Sequence, residues 1–172
     1  MRKNIIVTVA SGILTGFTVF GQTWDRPQNN FYAGQGNKQI EYRKVFDDRQ
    51  DSAAVIKKKI KALITSSPGI FTQVQYDSNI CSGNLNKIYP AYYRSSKELT
   101  GTFKIEVKNG RYRVTITGMT LIGSIFNDDL GDVVMNDNGM EWNTAMVANL
   151  LPDLDDNLTK VFSLVPAASS NW

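Results

Sequence analysis

The sequence of 172 residues contains no histidine and only one cysteine, and both shortages narrow the chemistry open to the protein. Histidine is the side chain best suited to proton transfer near neutral pH and the commonest transition-metal ligand. A single cysteine, Cys81, forms neither an intramolecular disulfide nor a zinc cluster. As a nucleophile it would have no histidine base, so we interpret it as a small apolar strand residue. We therefore predict that the protein is not an enzyme and holds no metal or cofactor.

The one long apolar run lies at the start of the chain. Arg2 and Lys3 precede the mostly apolar residues 5–20, and Val19 and Gly21 suit the −3 and −1 positions of a signal-peptidase site. Threonine, serine and glycine dilute the run, which disfavours a membrane anchor. We expect a signal peptide at residues 1–21, a mature chain without a transmembrane segment, and a periplasmic or secreted location.

Charge is unevenly distributed along the mature chain. Residues 22–113 carry 16 basic and 8 acidic side chains, a net charge of +8, whereas residues 114–172 carry one lysine and 8 acids, a net charge of −7. Two interpretations are open: the halves fold together and their fields compensate, or they form a surface of two signs for a charged partner.

The first part of the mature chain combines an arm with the start of a single domain. Residues 22–39 are rich in glutamine, asparagine and glycine and show no period, so we expect a flexible N-terminal arm before one domain at residues 40–166. The pattern then predicts a strand, a helix capped by Asp51-Ser52, and two more strands, at 40–46, 52–65, 70–76 and 80–85. Lys57, Lys58 and Lys61 form either an anion-binding patch or the solvated side of this helix.

A β-hairpin is the clearest element. Residues 102–108 and 111–117 alternate between apolar and polar side chains, and Asn109-Gly110 between them is a preferred two-residue turn. The turn sets the register: Val107 opposite Tyr112, Ile105 opposite Val114, Phe103 opposite Ile116, Glu106 opposite Arg113 and Lys104 opposite Thr115. One face is apolar and the other polar, so we expect a core on one side and water on the other.

The pattern of the C-terminal third predicts a continued strand, a loop and two helices. Residues 119–126 continue the sheet, and residues 127–139 form an acidic, turn-rich loop. If Gly139 were the sixth position of an EF-hand, the first and twelfth positions would carry side chains that cannot bind a metal, so the EF-hand spacing fails. The remaining alternatives are an irregular calcium site and a solvated loop. A helix at 142–150 is expected to stop at Pro152. A last helix then packs on the sheet through Leu154, Leu158, Val161, Phe162 and Val165.

The hairpin also carries a resemblance. Residues 99–117, LTGTFKIEVKNGRYRVTIT, resemble the signature hairpin of a family of exported Bacteroidetes domains that have no assigned function and a TATA-binding-protein-like fold. The resemblance covers residues 40–126, and Gly110, Arg111, Tyr112 and Arg113 match as fold markers. It implies an α+β fold, with an antiparallel sheet and helices packed on one face. Because the mature charge is nearly balanced, we expect no nucleic-acid partner.

Residues 86–98 are the best candidate for binding. This predicted loop places Tyr89, Tyr92, Tyr93 and Arg94 together, a composition typical of recognition surfaces, although the tyrosines would alternatively fold inward over the core. We expect a binding or adaptor module for an envelope protein or glycan. The alternative is a carboxylate-based hydrolase of envelope polymers, which requires two carboxylates in one cleft.

Overall fold

The computed structural model describes residues 24–34, 38–94 and 96–164. The predicted signal peptide at residues 1–21 lies outside this part of the chain, as do its cleavage site and the last two residues of the predicted 40–166 domain.

The fold is α+β, as predicted, and is built on one antiparallel sheet. In chain order the strands are β1 (Trp24–Gln28), β2 (Phe31–Gly34), β3 (Ile40–Asp47), β4 (Phe71–Asp77), β5 (Ile80–Ile88), β6 (Glu98–Lys108), β7 (Arg111–Ile122) and β8 (Asn127–Asp129). The helices are α1 (Ala53–Ser66), α2 (Leu130–Val134) and α3 (Thr144–Phe162). Strand order across the sheet is β1-β2-β3-β7-β6-β5-β4, and β8 pairs with the end of β7.

The predicted hairpin register is confirmed in all five pairs, Ile105 opposite Val114 at its centre. Its apolar side chains are buried, with Phe103 and Val114 fully covered, so the helices and the core lie on this face. The turn also positions α1. Asn109 Oδ1 accepts a hydrogen bond of 2.9 Å from the backbone N–H of Ala53, beside the predicted N-cap Ser52. The hairpin turn is therefore joined to the N-terminus of α1.

The N-terminal segment differs from its prediction. The composition of residues 22–39 predicts a flexible arm without strands, but β1 and β2 form there and extend the sheet beyond β3. Phe31 is completely buried, and its ring lies 5.1 Å from that of Tyr42. Pairing with β3 and burial of this one aromatic ring compensate for a composition that does not favour strands.

The predicted acidic loop is also partly wrong, because residues 127–134 form β8 and α2. Asp129 caps α2 by accepting from the backbone N–H of Gly131 at 2.8 Å, and Leu130 and Val134 are fully buried. A β-carbon on Gly131 would lie 1.6 Å from the carbonyl oxygen of Lys38, so only glycine fits this close packing.

Pro152 does not end a helix, contrary to prediction. It lies inside the continuous helix α3, and Leu150, Leu151, Leu154, Leu158 and Phe162 of that helix are buried. The Phe162 ring meets those of Phe71 and Phe103 at centroid distances of 5.5 and 6.0 Å. Proline in a helix interior costs about 3 kcal/mol, and burial of this apolar face outweighs it. The predicted packing of the last helix on the sheet is confirmed for Leu154, Leu158, Val161 and Phe162, while Val165 lies outside the described residues.

A polar network fixes α3 to the N-terminal strands. Asp155 accepts hydrogen bonds from Asn30 Nδ2 at 3.0 Å, from the Tyr42 hydroxyl at 3.0 Å and from Lys44 Nζ at 3.1 Å. Thr159 accepts a further bond from Lys44 at 2.5 Å. Burial, more than the neighbouring carboxylate, raises the pKa of Tyr42 above its ordinary value, so its hydroxyl remains a donor.

The edge strand β4 is irregular. Its register with β5 shifts between Thr72 and Gln75, and Gln73 in that interval has a left-handed backbone with φ of 51°. This is the geometry of a β-bulge, which bends a strand and interrupts its ladder of hydrogen bonds.

Candidate functional site

The predicted tyrosine loop connects β5 to β6 and contains one short turn of 3₁₀ helix, Ala91–Tyr93. Arg94 ends this turn in the left-handed conformation, with φ of 48°. The loop is attached at both sides: Tyr92 N–H donates to Asp153 Oδ2 of α3 at 2.8 Å, and the Tyr89 hydroxyl donates to Glu98 Oε2 at 3.2 Å. That bond is the main reason why the pKa of Tyr89 is raised. The tyrosines are therefore held in place by the fold.

Tyr93 faces the protein, unlike the other tyrosines of this loop. It is half-buried against the core, and its ring lies edge-on to Tyr92 at a centroid distance of 5.0 Å. Lys97 Nζ stands 4.9 Å from the Tyr93 ring centre and pairs with Asp128. Burial is the main cause of the raised pKa of Tyr93. The inward-folding alternative thus applies to Tyr93 alone.

Tyr89, Tyr92 and Arg94 face solvent. Tyr89 is 46% exposed and Tyr92 40% exposed. Arg94 is exposed and pairs with no acidic side chain of residues 24–34, 38–94 and 96–164. Rigid aromatic area beside an unpaired guanidinium is suited to binding another molecule, because little side-chain entropy is lost when it is covered.

A second segment reaches the same end of the sheet. Ile122 lies opposite Glu98, the partner of Tyr89, and the turn after it closes through a 3.0 Å bond from Gly123 N–H to the Phe126 carbonyl. In this turn Ile125 is 80% exposed and Phe126 73% exposed.

We name this region the loop-end surface; it comprises Tyr89, Tyr92, Arg94, Ile122, Ile125 and Phe126. The sequence pattern does not reveal its apolar half, because it predicts strand over residues 119–126, whereas β7 ends at Ile122. The signal that would reveal it is the apolar pair Ile125-Phe126, which directly precedes the acidic, turn-rich segment 127–139. An apolar pair beside such a polar segment is a candidate for an exposed apolar patch.

The arrangement of carboxylates bears on the hydrolase alternative. One groove of about 370 Å³ on the open sheet face is lined by both Glu41 and Asp129. Glu41 accepts a 2.8 Å hydrogen bond from Arg43 Nε, and Asp129 caps α2. No three acidic or cysteine side chains in the described part of the chain come together as ligands of a metal ion. In the acidic segment 127–139, for which a calcium site was one of two alternatives, Asp128 and Asp132 pair with Lys97 and Lys38.

Cys81 is buried on β5, as interpreted from the sequence. It is 4% exposed, and burial raises the pKa of its thiol to about 11. Because the thiolate is the nucleophilic form, this environment makes Cys81 unreactive at neutral pH.

The basic and acidic halves of the chain fold together. In the part of the chain that the structure describes, three ion pairs join them: Lys38 with Asp132, Lys44 with Asp155, and Lys97 with Asp128. This agrees with the interpretation in which the two fields compensate. Across residues 24–34, 38–94 and 96–164, no helix has the length and apolar character needed to cross a membrane.

Comparison with solved structures identifies the fold. A TBP-like protein from Parabacteroides distasonis ATCC 8503 superposes with a TM-score of 0.53 and 13% identity, over 77% of this chain and 96% of that chain. A DUF4468 family protein from Bacteroides ovatus ATCC 8483 gives a TM-score of 0.47 and 10% identity, over 76% and 90% of the two chains. No family model and no curated protein matches the sequence.

The fold is TBP-like. At this low identity the first similarity establishes the architecture alone, and it confirms the fold that the hairpin resemblance implied.

Proposed function

We propose that the protein is an exported, non-catalytic binding module of the cell envelope that captures a partner through the loop-end surface. The observation that carries the proposal is that two segments meeting at one end of the sheet, through Glu98 opposite Ile122 and the Lys97–Asp128 pair, both expose side chains suited to binding. One exposes two tyrosines and an arginine without an acidic partner among the described residues, and the other exposes Ile125 and Phe126. Aromatic residues and arginine dominate binding energy at protein interfaces, and exposed apolar side chains supply the area that such an interface buries. Because Ile125 and Phe126 make part of the surface apolar, we favour a protein partner over a glycan.

The chemistry of the chain supports a non-catalytic role. The sequence contains no histidine, and the one thiol is buried with a raised pKa. Both carboxylates that line a common groove are already hydrogen-bonded to neighbours within the fold. The proposed export rests on the predicted signal peptide. We expect N-terminal sequencing of protein from the native host to show a mature chain that begins at Gln22.

Capture of partners from envelope extracts tests the proposal. The surface variant combines Tyr92→Ala, Arg94→Ala and Phe126→Ala, and the matched control combines Val45→Ala, Arg111→Ala and Met140→Ala, which are also exposed. We expect the surface variant to lose a protein that wild type and control both capture, with its melting temperature nearly unchanged. Equal capture by all three would refute the proposal. Turnover of an envelope polymer by the wild type, lost in Glu41→Gln, would instead establish the hydrolase.

A further inference from the structure

A groove between α1 and the β4–β5 hairpin has the features of a ligand site. It encloses about 410 Å³, and its floor consists of Ile60, Cys81 and Val107, which are almost completely buried. Tyr76 and Ile80 form the outer wall and are 52% and 39% exposed. Small-molecule sites are concave and mostly apolar, with a few polar groups that fix orientation. The volume is near the lower end of their range, which suits a single alkyl chain.

The rim of the groove is basic. Lys57, Lys58 and Lys61 of α1 line it, and no acidic side chain does so among the described residues. Lys57 Nζ donates to the carbonyl of Ser78 across the groove at 3.4 Å. Lys58 and Lys61 pair with no acid in the part of the chain that the structure describes, whereas Lys59, which points elsewhere, is held by Asp48 and Asp51. The rim therefore keeps positive charge that the protein does not neutralise.

We propose that this groove binds a fatty acid, with its alkyl chain on the apolar floor and its carboxylate among the lysines. Lysines bind both phosphate and carboxylate, but dedicated phosphate sites commonly add an arginine fork or free N–H groups at a helix start. The groove offers neither, because its charges are flexible lysines from the middle of α1. Single ammonium groups suffice for a monoanion such as a carboxylate.

Binding of decanoate to the protein, measured by calorimetry, tests the proposal with a chain-length series. Each additional methylene on the floor should tighten binding about three- to fourfold until the chain fills the groove. Decanol, which has the chain without the charge, and acetate, which has the charge without the chain, should both bind much more weakly. Equal binding of decanol would refute the lysine role, and tighter binding of decyl phosphate would refute the carboxylate class.

Two pairs of variants locate the site. Lys58→Gln with Lys61→Gln should weaken decanoate binding about fivefold, while Lys104→Gln with Lys108→Gln on the opposite sheet face should leave it unchanged. Ile80→Asn should also weaken binding several-fold, in contrast to Val55→Asn, which alters a comparably exposed residue of α1 outside the groove. If control and groove variants behave alike, or if decanoate does not bind, the proposal is wrong. None of these variants alters the loop-end surface, so the result does not depend on the proposed binding function.

Discussion

Replacement of Asp155 by alanine should destabilise the fold far more than the same change at its neighbour. The Asp155 carboxylate accepts hydrogen bonds from the fully buried Tyr42 and from Asn30 and Lys44, and thereby joins α3 to β3 and to the turn between β1 and β2. Asp156 is exposed and forms one ion pair with Lys160, a turn further along the same helix. The two substitutions remove the same atoms from adjacent positions.

The structure sets the expected magnitude. Loss of the acceptor for the buried Tyr42 hydroxyl costs about 1–3 kcal/mol. The Asp155–Lys44 pair is only about one-fifth exposed, and Lys44 keeps its bond to Thr159, so we add about 1 kcal/mol for it. The free energy of unfolding should therefore fall by about 2–4 kcal/mol in Asp155→Ala. For Asp156→Ala we expect a change within about 0.5 kcal/mol, because exposed ion pairs contribute little.

Urea unfolding followed by circular dichroism measures both values. Asp155→Asn, which keeps an oxygen acceptor but removes the charge, should fall between the two alanine variants. A double-mutant cycle with Tyr42→Phe should yield a coupling energy of at least about 1 kcal/mol. If Asp155→Ala is no less stable than Asp156→Ala, the network does not stabilise the packing of α3.

Two further predictions concern the sheet. Ile105→Ala should lower the free energy of unfolding by about 2–4 kcal/mol because the side chain is 1% exposed. Glu106→Ala, on the solvent-exposed face beside Arg113, should lower it by less than about 1 kcal/mol. If denaturant unfolding gave the reverse order, the assignment of the buried and exposed faces of the strand would be wrong. The thiol of Cys81, whose pKa is raised to about 11, should react with alkylating reagents at pH 8 about a hundredfold more slowly in the native than in the unfolded protein. Because the native pKa is the higher one, the thiol's contribution to stability is complete below pH 9 and declines as the pH rises through 11; equal reaction rates would show that the thiol is accessible.

The hairpin and α1 were predictable because local signals and tertiary structure agree in them. Alternation and Asn109-Gly110 specify the strands, and Ser52 with an apolar stripe specifies the helix. β2 and the middle of α3 were not predictable, since their local preferences are overridden by distant partners. Phe31 is buried through pairing with β3, and Pro152 is tolerated because the leucines around it are buried.

The candidate surface was predictable only in part, because distant contacts again decide what local composition does not. Composition indicated the tyrosine loop, but it did not distinguish Tyr93 from Tyr92. That difference depends on Lys97 and Asp128, which meet only when β8 pairs with β7. The contribution of Phe126 likewise follows from where β7 ends, a boundary that alternation alone does not mark.

The bulge in β4 has a consequence for the protein at high concentration. Within the described residues β5 is the one strand that neighbours β4, and a single bridge from Pro68 to Phe71 covers the start of its outer side. The rest of that side is a sheet edge, where backbone groups are open to pairing with another chain. Aggregation through such an edge requires a straight, uninterrupted row of donors and acceptors. The left-handed backbone at Gln73 divides that row into two short pieces that a second copy cannot match at once. We therefore expect the irregularity to disfavour edge-to-edge aggregation, and a deletion that straightened β4 to increase it.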